Sequence, residues 1–469
     1  MQTSFDKDQL QEKRMVMAES IIKSCIHCGL CTATCPTYLI KRDERDSPRG
    51  RIYMIKDMLE NGGEASAQTT THIDRCLTCL SCTTACPSGV DYLRLIDLAR
   101  NMIGTRGKRS YKAQVTRQFV LSTLPYPKRL KSAMRMARLA KPFSGLLKKI
   151  GLGDLVSMME LMPTTLPPPG TYRGAGAAKP RGVRQRGVIL LEGCVQPTVE
   201  PSINDATIRL FARNGVEVFI SSGANCCGGL AYHNGAEEQA IDQAKDNIDA
   251  WHKVLGKEDI DAIVINASGC GTTVKNYSHM LEHDADYRIK AAHIVALTRD
   301  VTEFLTDYDL GPPKRWSSLQ VAYHAPCSLQ HAQRVIDPPR ALLKKAGFGL
   351  LEINEGDICC GSAGTYNLFQ PEIAKELRDR KIENIEILKP DVIATGNVGC
   401  MVQLQSGTSI PVVHTVELLD WAYGGPCPEK LKHLKDRVSD VPNPEPKTRA
   451  EMVTPPPQPA KKSFFRLRS

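Results

Sequence analysis

Acid is missing where base is densest. From Arg100 to Ile150 the chain carries fourteen Lys and Arg and no Asp or Glu, within a 469-residue protein of net charge +10. Leu, Met, Phe and Ala recur there, as in Ser132-Ala-Met-Arg-Met-Ala-Arg-Leu-Ala140, so a basic amphipathic helical stretch is expected. Such a stretch can lie on anionic lipid, dock on an acidic partner or act as a solvated spacer; the complete exclusion of acids favours the first two. Nucleic acid is not an expected partner, because no zinc finger, helix-turn-helix or interleaved aromatic platform accompanies the charge, and aromatics are only 6% of the residues. No run approaches the roughly eighteen uninterrupted apolar residues of a membrane-spanning helix, so any membrane contact should be peripheral. The opening MQTSFDKDQL is polar and has no apolar core, which makes the reducing cytoplasm the expected compartment. Nicotinamide and flavin fingerprints, a Walker loop and a hydrolase nucleophile arrangement are absent too; Gly174-Ala-Gly176 lacks the preceding strand a nucleotide loop needs. No flavin is expected on this chain, no residue is assigned as catalytic, and substrate chemistry is expected on another subunit.

What the chain has is cysteine. Cys25, Cys28, Cys31 and Cys35 precede Pro36, and Cys76, Cys79, Cys82 and Cys86 precede Pro87. Each run reads C-x2-C-x2-C-x3-C-P, the spacing in which three thiolates hold one cubane and the fourth crosses to the other. A pair of zinc sites is the alternative, but zinc usually takes two separated ligand pairs and needs no trailing proline. Two [4Fe-4S] clusters are therefore expected, one on Cys25, Cys28, Cys31 and Cys86 and the other on Cys76, Cys79, Cys82 and Cys35, in a protein that carries electrons. Forty positions separate Cys35 from Cys76, and Arg49 to Leu59 between them has helical apolar spacing, so the two-cluster domain is expected to be all-helical.

The rest of the chain repeats itself. Cys194, Cys226 and Cys227 recur 133 residues later as Cys327, Cys359 and Cys360, and Cys270 recurs at a slightly shorter offset as Cys400. Apolar runs such as Val188–Leu191, Ala262–Ile265, Val321–Tyr323 and Val392–Ala394 lead into these cysteines, with helical segments between them, which predicts two α/β domains with parallel sheets and sites at the strand carboxyl ends. The repeat cysteines could ligate one or two further clusters, pack as buried thiols or form redox disulfides at the vicinal pairs; two matched sets favour at least one extra cluster. Cys427 lies outside every pattern. His233, His324 and His331 stand near cysteines and are expected to be hydrogen-bond partners rather than ligands.

The expected organisation is a helical two-cluster domain over 1–105, basic amphipathic helices and a Pro/Gly-rich linker over 106–186, Cys-Cys-Gly domains over 187–312 and 313–425, and a disordered tail over 426–469.

This assembly of motifs resembles the family that contains the iron-sulfur subunits of glycolate oxidase, of lactate-utilisation oxidase and of anaerobic glycerol-3-phosphate dehydrogenase, together with heterodisulfide reductase. The resemblance is carried by Cys25-Ile-His-Cys-Gly-Leu-Cys-Thr-Ala-Thr-Cys-Pro-Thr-Tyr38, Pro48-Arg-Gly-Arg-Ile-Tyr53, Asp74-Arg-Cys-Leu-Thr-Cys79, Leu191-Glu-Gly-Cys194, Ser268-Gly-Cys270 and Leu329-Gln-His-Ala-Gln333, and is strongest with the glycolate oxidase subunits. It implies flavin-binding partner subunits that oxidise glycolate to glyoxylate, and electron delivery toward quinone at the cytoplasmic face of the bacterial inner membrane. Lactate or glycerol 3-phosphate as donor is the alternative within the family. Heterodisulfide reductases carry a further cysteine where this chain has Thr273 and Gln403, which disfavours thiol-disulfide chemistry.

Overall fold

The computed structural model describes residues 1–107, 109–149, 153–160, 166–172 and 174–440. Its N-terminal part is all-helical. Helices α1 (Lys13–Ser24), α2 (Pro36–Lys41), α3 (Pro48–Glu60), α4 (Ala67–Asp74), the single turn α5 (Ser81–Thr84) and α6 (Tyr92–Arg106) surround a core in which Ile22, Ile55, Leu59, Ile73, Leu95, Ile96 and Ala99 are fully buried. Local chemistry starts these helices. Ser47, Ser66 and Asp91 each accept a backbone N–H two or three residues into the following turn, and Pro36 and Pro48 occupy first helical positions where no amide is needed. The cysteines are left in the short loops that the caps define.

Two α/β units follow. In the first, β1 (Gly176–Ala178), β2 (Arg186–Leu190), β3 (Val216–Ile220), β4 (Ala262–Ile265) and β5 (Thr298–Asp300) form a sheet of order β1-β3-β2-β4-β5. Only β1 is antiparallel. The second unit opens with β6 (Arg315–Ser317) and builds its sheet from β7 (Gln320–His324), β8 (Gly349–Leu351), β9 (Val392–Thr395) and β10 (Val412–His414), in the all-parallel order β10-β9-β7-β8. The order is the same in both units, with β3, β2, β4 and β5 matched by β8, β7, β9 and β10. Ladder register repeats as well: Val188 faces Ala262 as Val321 faces Val392. The strands are nearly continuous in apolar residues because helices cover both faces.

Three sequence expectations are modified. The Pro/Gly-rich linker contributes β1, whose edge position suits a Gly-Ala-Ala segment too small to fill a core. Disorder from 426 onward is wrong for 426–440, because Leu431 is fully buried and a last strand, β11 (Val438–Asp440), pairs with β6; the remainder of that tail, 441–469, lies outside the described residues. The basic stretch forms helices, α7 (Tyr111–Thr123), α8 (Pro127–Ala140) and α9 (Ser144–Lys149), but part of its charge turns inward. Arg109 and Arg117 grip the half-buried Asp74 at 2.9 and 2.8 Å, which ties α7 to α4. Among the described residues no helix is long and apolar enough to cross a membrane.

The three units are joined tightly. A Cβ on Gly104 of α6 would stand 2.3 Å from the Gly235 carbonyl, and one on Gly235 would stand 2.3 Å from the Arg100 carbonyl, so only paired glycines permit this backbone approach. Asp97 takes His233 at 3.0 Å, and Thr84 meets His331 at 3.0 Å. Between the two α/β units, the Ser268 and Ser328 hydroxyls lie 2.7 Å apart, Asn397 donates to Ser268 at 2.8 Å, and buried Asp420 is held by Arg209 and Arg213.

Candidate metal centres

The two N-terminal cysteine runs interleave in space. Cys25, Cys28, Cys31 and Cys86 line one cavity, and Cys35, Cys76, Cys79 and Cys82 line the next. Pro48, Cys82 and Tyr92 border both, so the two sites share a wall. Their loops curl alike. His27 and Thr78, each two residues after the first cysteine of its run, have φ of +59° and +54°, and Gly29 and Leu80, two residues later, have +84° and +61°. Left-handed backbone costs an ordinary residue about 1–2 kcal/mol, and finding it at matched positions marks loops that wrap a ligand and turn amides inward. Thr78 N–H accordingly donates to Cys76 Sγ at 3.4 Å.

The second cavity sits in a positive surround. Arg51, fully buried, donates to Asp46 at 3.3 Å, to Thr37 Oγ1 at 3.0 Å and to the His72 carbonyl at 2.8 Å, and its Nη1 lies 3.9 Å from Cys35 Sγ. Tyr92 O–H points at Cys76 Sγ at 3.7 Å, and Arg100 holds the Cys76 carbonyl at 2.5 Å. Burial would raise the Cys76 thiol, but Arg51 and Arg100 outweigh it and hold Cys76 below its ordinary value; Cys79 and Cys82 are pushed up by burial, with neighbouring cysteines adding to it. In the first cavity burial lifts Cys31 to about 11. Thiols this reluctant to ionise are satisfied by a cation that displaces their protons, and all-sulfur donor sets with cationic neighbours fit iron-sulfur clusters.

The repeat cysteines also converge. A far larger cavity, about 1630 Å³ counted to its open mouth, is lined by Cys194, Cys227 and Cys270 of the first α/β unit, Cys327, Cys359 and Cys400 of the second, and the Cys76–Cys79 loop of the helical domain. Cys226 and Cys360 lie just behind this wall, each beside its vicinal partner. Within each unit the second cysteine of the vicinal pair is the one favoured as a thiolate: hydrogen bonds from Cys226 and Cys270 hold Cys227 well below the ordinary range, and those from Cys359 and Cys400 do the same for Cys360. The donors Cys226, Cys270, Cys359 and Cys400 are correspondingly raised. Cys427 stands apart, half-buried against the core of the second unit.

The glycine of each Cys-Cys-Gly has a steric reason. Gly228 and Gly361 sit at φ +88° and +87°, and an added Cβ would come 2.9 Å from the Ala240 carbonyl and 2.4 Å from the Ala374 carbonyl. Only glycine lets the helices Glu237–Leu255 and Pro371–Glu386 pack against the vicinal pair. Sequence reasoning missed Arg51, Tyr92, Arg100 and Asp46, whose roles depend on contacts across the helical domain. Pro48-Arg-Gly-Arg51 was visible as a motif but gave no hint of what Arg51 touches.

Comparison with known proteins agrees with this layout. A family described as a 4Fe-4S dicluster domain matches residues 24–91, and one described as a cysteine-rich domain matches 188–275 and again 321–405. The chain is 38% identical over 424 residues to the glycolate oxidase iron-sulfur subunit of Escherichia coli (strain K12), covering 90% of this chain and 99% of that protein. It is 30% identical to the probable glycolate oxidase iron-sulfur subunit of Bacillus subtilis (strain 168), with the same coverage. Lactate utilization protein A of Oceanobacillus iheyensis is 27% identical over 241 residues, half of this chain. A crystal structure of a hypothetical protein from Helicobacter pylori shares the fold at a TM-score of 0.51 and 10% identity, over 91% of this chain and 76% of that one.

Proposed function

Since the chain belongs to the family of glycolate oxidase iron-sulfur subunits, we propose that it conducts electrons from flavin-binding partner subunits, which oxidise glycolate to glyoxylate, toward quinone at the cytoplasmic face of the bacterial membrane. The observation that carries this reading is the continuity of the sites: the first cavity shares Pro48, Cys82 and Tyr92 with the second, and the second shares Cys76, Leu77, Thr78, Cys79 and Leu80 with the central cavity. Bound [4Fe-4S] clusters supply one-electron redox centres. The residues do the rest. Cys25, Cys28, Cys31 and Cys86 hold one cluster, and Cys76, Cys79, Cys82 and Cys35 the other. Arg51, Arg100 and the Tyr92 hydroxyl stabilise negative charge on the second set. The repeat cysteines hold at least one further metal centre.

Electrons enter at the first site. Cys28 is exposed there, and Ile26, Leu30 and Tyr53, all more than half exposed, make an apolar rim suited to a partner subunit. Membrane contact falls to α8 and the first turns beyond it. Leu130 and Met134 are buried and anchor the helix, whereas Met136, Leu139, Phe143 and Leu146 form an exposed stripe at helical spacing beside Arg135, Arg138 and Lys141. A basic, apolar-striped helix is the form that lies in an anionic lipid interface.

The test is low-temperature electron paramagnetic resonance of the anaerobically purified complex, recorded before and after glycolate, lactate or glycerol 3-phosphate. Cluster signals that grow with glycolate support the proposal. Growth with lactate or glycerol 3-phosphate alone reassigns the donor, and silence with all three, although dithionite reduces the clusters, refutes electron conduction from these substrates.

A further inference from the structure

The two α/β units repeat one fold and one cysteine set, yet the surroundings of those cysteines differ at two buried positions. His324 ends β7, opposite Thr395 in the ladder. The matching position in the first unit is Leu191, one residue beyond Leu190, which pairs with Val264 as Tyr323 pairs with Ala394. The second difference is Lys381. It lies seven residues beyond Ala374, the residue whose carbonyl crowds Gly361; seven beyond Ala240, which crowds Gly228 in the same way, stands Asn247. The first centre thus has Leu and Asn where the second has His and Lys.

His324 is 1% exposed; neither ring nitrogen has a hydrogen-bond partner of regular geometry, and the ring's interaction is with the Cys360 sulfur, a weak acceptor that it helps to hold low. An imidazole buried this completely with no better partner is costly, so a stronger one is expected. What the ring faces is sulfur: a His324 nitrogen and the Cys360 and Cys400 sulfurs all lie within 4.8 Å of one another. A tetrahedral ion with metal–sulfur bonds near 2.3 Å and metal–nitrogen bonds near 2.0–2.1 Å spaces its donors by about 3.4–3.8 Å. Small side-chain rotations close the observed set onto such an ion. A cubane holds its thiolates apart by the width of the cluster as well as by two bonds, and fits this spacing less well.

We infer that the second Cys-Cys-Gly unit holds a single thiophilic divalent cation of the zinc class, bound by His324, Cys360 and Cys400, and that the first unit, with Leu191 in place of the histidine, does not. This goes beyond the reading of His324 as a hydrogen-bond partner, which its interaction with Cys360 fits. Cys359, beside Cys360, and Cys327, beside Cys359, are at hand for the fourth position. Cys360 and Cys400 bind as thiolates, any thiol proton still present passing to solvent as the cation binds, and the imidazole binds as the neutral base. With a third thiolate in the fourth position the set carries one net negative charge, which the ammonium of Lys381, itself 1% exposed and donating to the Glu355 carbonyl, offsets. Such a centre is separate from electron conduction and holds whichever substrate feeds the clusters.

The test is metal analysis and zinc-edge X-ray absorption on the anaerobically purified complex after exhaustive dialysis against a weak chelator. Close to one zinc per chain is expected, with one nitrogen scatterer at the short distance beside sulfur. His324→Ala should weaken zinc retention at least a hundredfold in chelator competition while iron content and the N-terminal cluster signals stay as in the unsubstituted protein; Leu191→Ala should leave zinc unchanged. Absence of zinc, an all-sulfur zinc shell, or a His324→Ala protein that keeps zinc with full affinity would each overturn the inference. The absorption experiment needs no variant and decides the matter even if His324→Ala fails to fold.

Discussion

Replacing Arg51 by Met isolates the electrostatic work done beside the second N-terminal site. The guanidinium is buried, is shared among Asp46, Thr37 and the His72 carbonyl, and reaches 3.9 Å from Cys35 Sγ. Two unit charges about 4 Å apart interact by about 4 kcal/mol at an effective dielectric of 20. Guanidinium charge is spread over three nitrogens and an added electron over a whole cluster, so the centres are about twice as far apart and the term is about 2 kcal/mol. For one electron that is roughly 90 mV. Removing a cation disfavours the more negative, reduced state, so the potential of the cluster on Cys35, Cys76, Cys79 and Cys82 should fall by about that much. The cluster on Cys25, Cys28, Cys31 and Cys86, whose cavity Arg51 does not line, should move far less. Asp46 keeps His72 at 2.9 Å and Arg75 at 3.1 Å, yet losing one partner of a buried pair should still cost about 3–5 kcal/mol of stability. Arg51→Lys should recover most of the potential but not the stability, because an ammonium keeps the charge and loses the fork. A redox titration followed by electron paramagnetic resonance reads both clusters. Equal shifts in both, or an unmoved second cluster in a protein with full iron content, would refute the reasoning.

Met136→Glu with Leu139→Glu should weaken binding of the complex to anionic vesicles about 30-fold or more in a sedimentation assay, since each side chain is about two-thirds exposed and offers about 1–2 kcal/mol of apolar transfer; undiminished binding would remove α8 from the membrane contact. Gly361→Ala should lower the thermal midpoint more than Gly228→Ala, because both positions are left-handed but the added methyl meets backbone at 2.4 rather than 2.9 Å. Two buried groups give opposite pH dependence. Burial, with Glu303 adding to it, lifts Asp300 from 3.8 to about 6, so its contribution is complete below pH 3.8 and is lost as pH rises through 6, a swing of about 3 kcal/mol that Asp300→Asn should abolish. Burial pushes His414 from 6.5 down to about 4, so its contribution is complete above pH 6.5 and lost as pH falls through 4; His414→Asn should flatten the acid limb of urea midpoints measured against pH.

The helical two-cluster domain and the paired α/β units were legible because their signals are periodic or local. Helical spacing marked Arg49 to Leu59, and apolar runs marked β2, β4, β7 and β9 to within a residue or two. Boundaries were less legible. Gly176–Ala178 and Val438–Asp440 have the composition of linker and tail and become strands only because edges of existing ladders are there to receive them. The basic stretch reads as one charged block, yet Arg109 and Arg117 serve Asp74 inside the protein while Arg135 and Arg138 stay outside, a division made by packing.

Sixteen of the seventeen cysteines announced themselves by spacing, because ligands to one centre on one loop must recur at intervals set by the loop, and a repeated domain must repeat its loops. The sequence alone therefore determined the class of chemistry, the two-cluster domain and the doubling of the Cys-Cys-Gly unit. Only the tertiary structure decided which charges stand beside which sulfurs. Arg51 is sixteen residues from Cys35, Arg100 is twenty-four from Cys76, and His324 is thirty-six from Cys360. Nothing in local spacing links such residues: their contact comes from how helices and strands pack. That packing surrounds two near-identical cysteine sets with Leu191 and Asn247 in one unit and His324 and Lys381 in the other, and so gives one repeated motif two unlike surroundings.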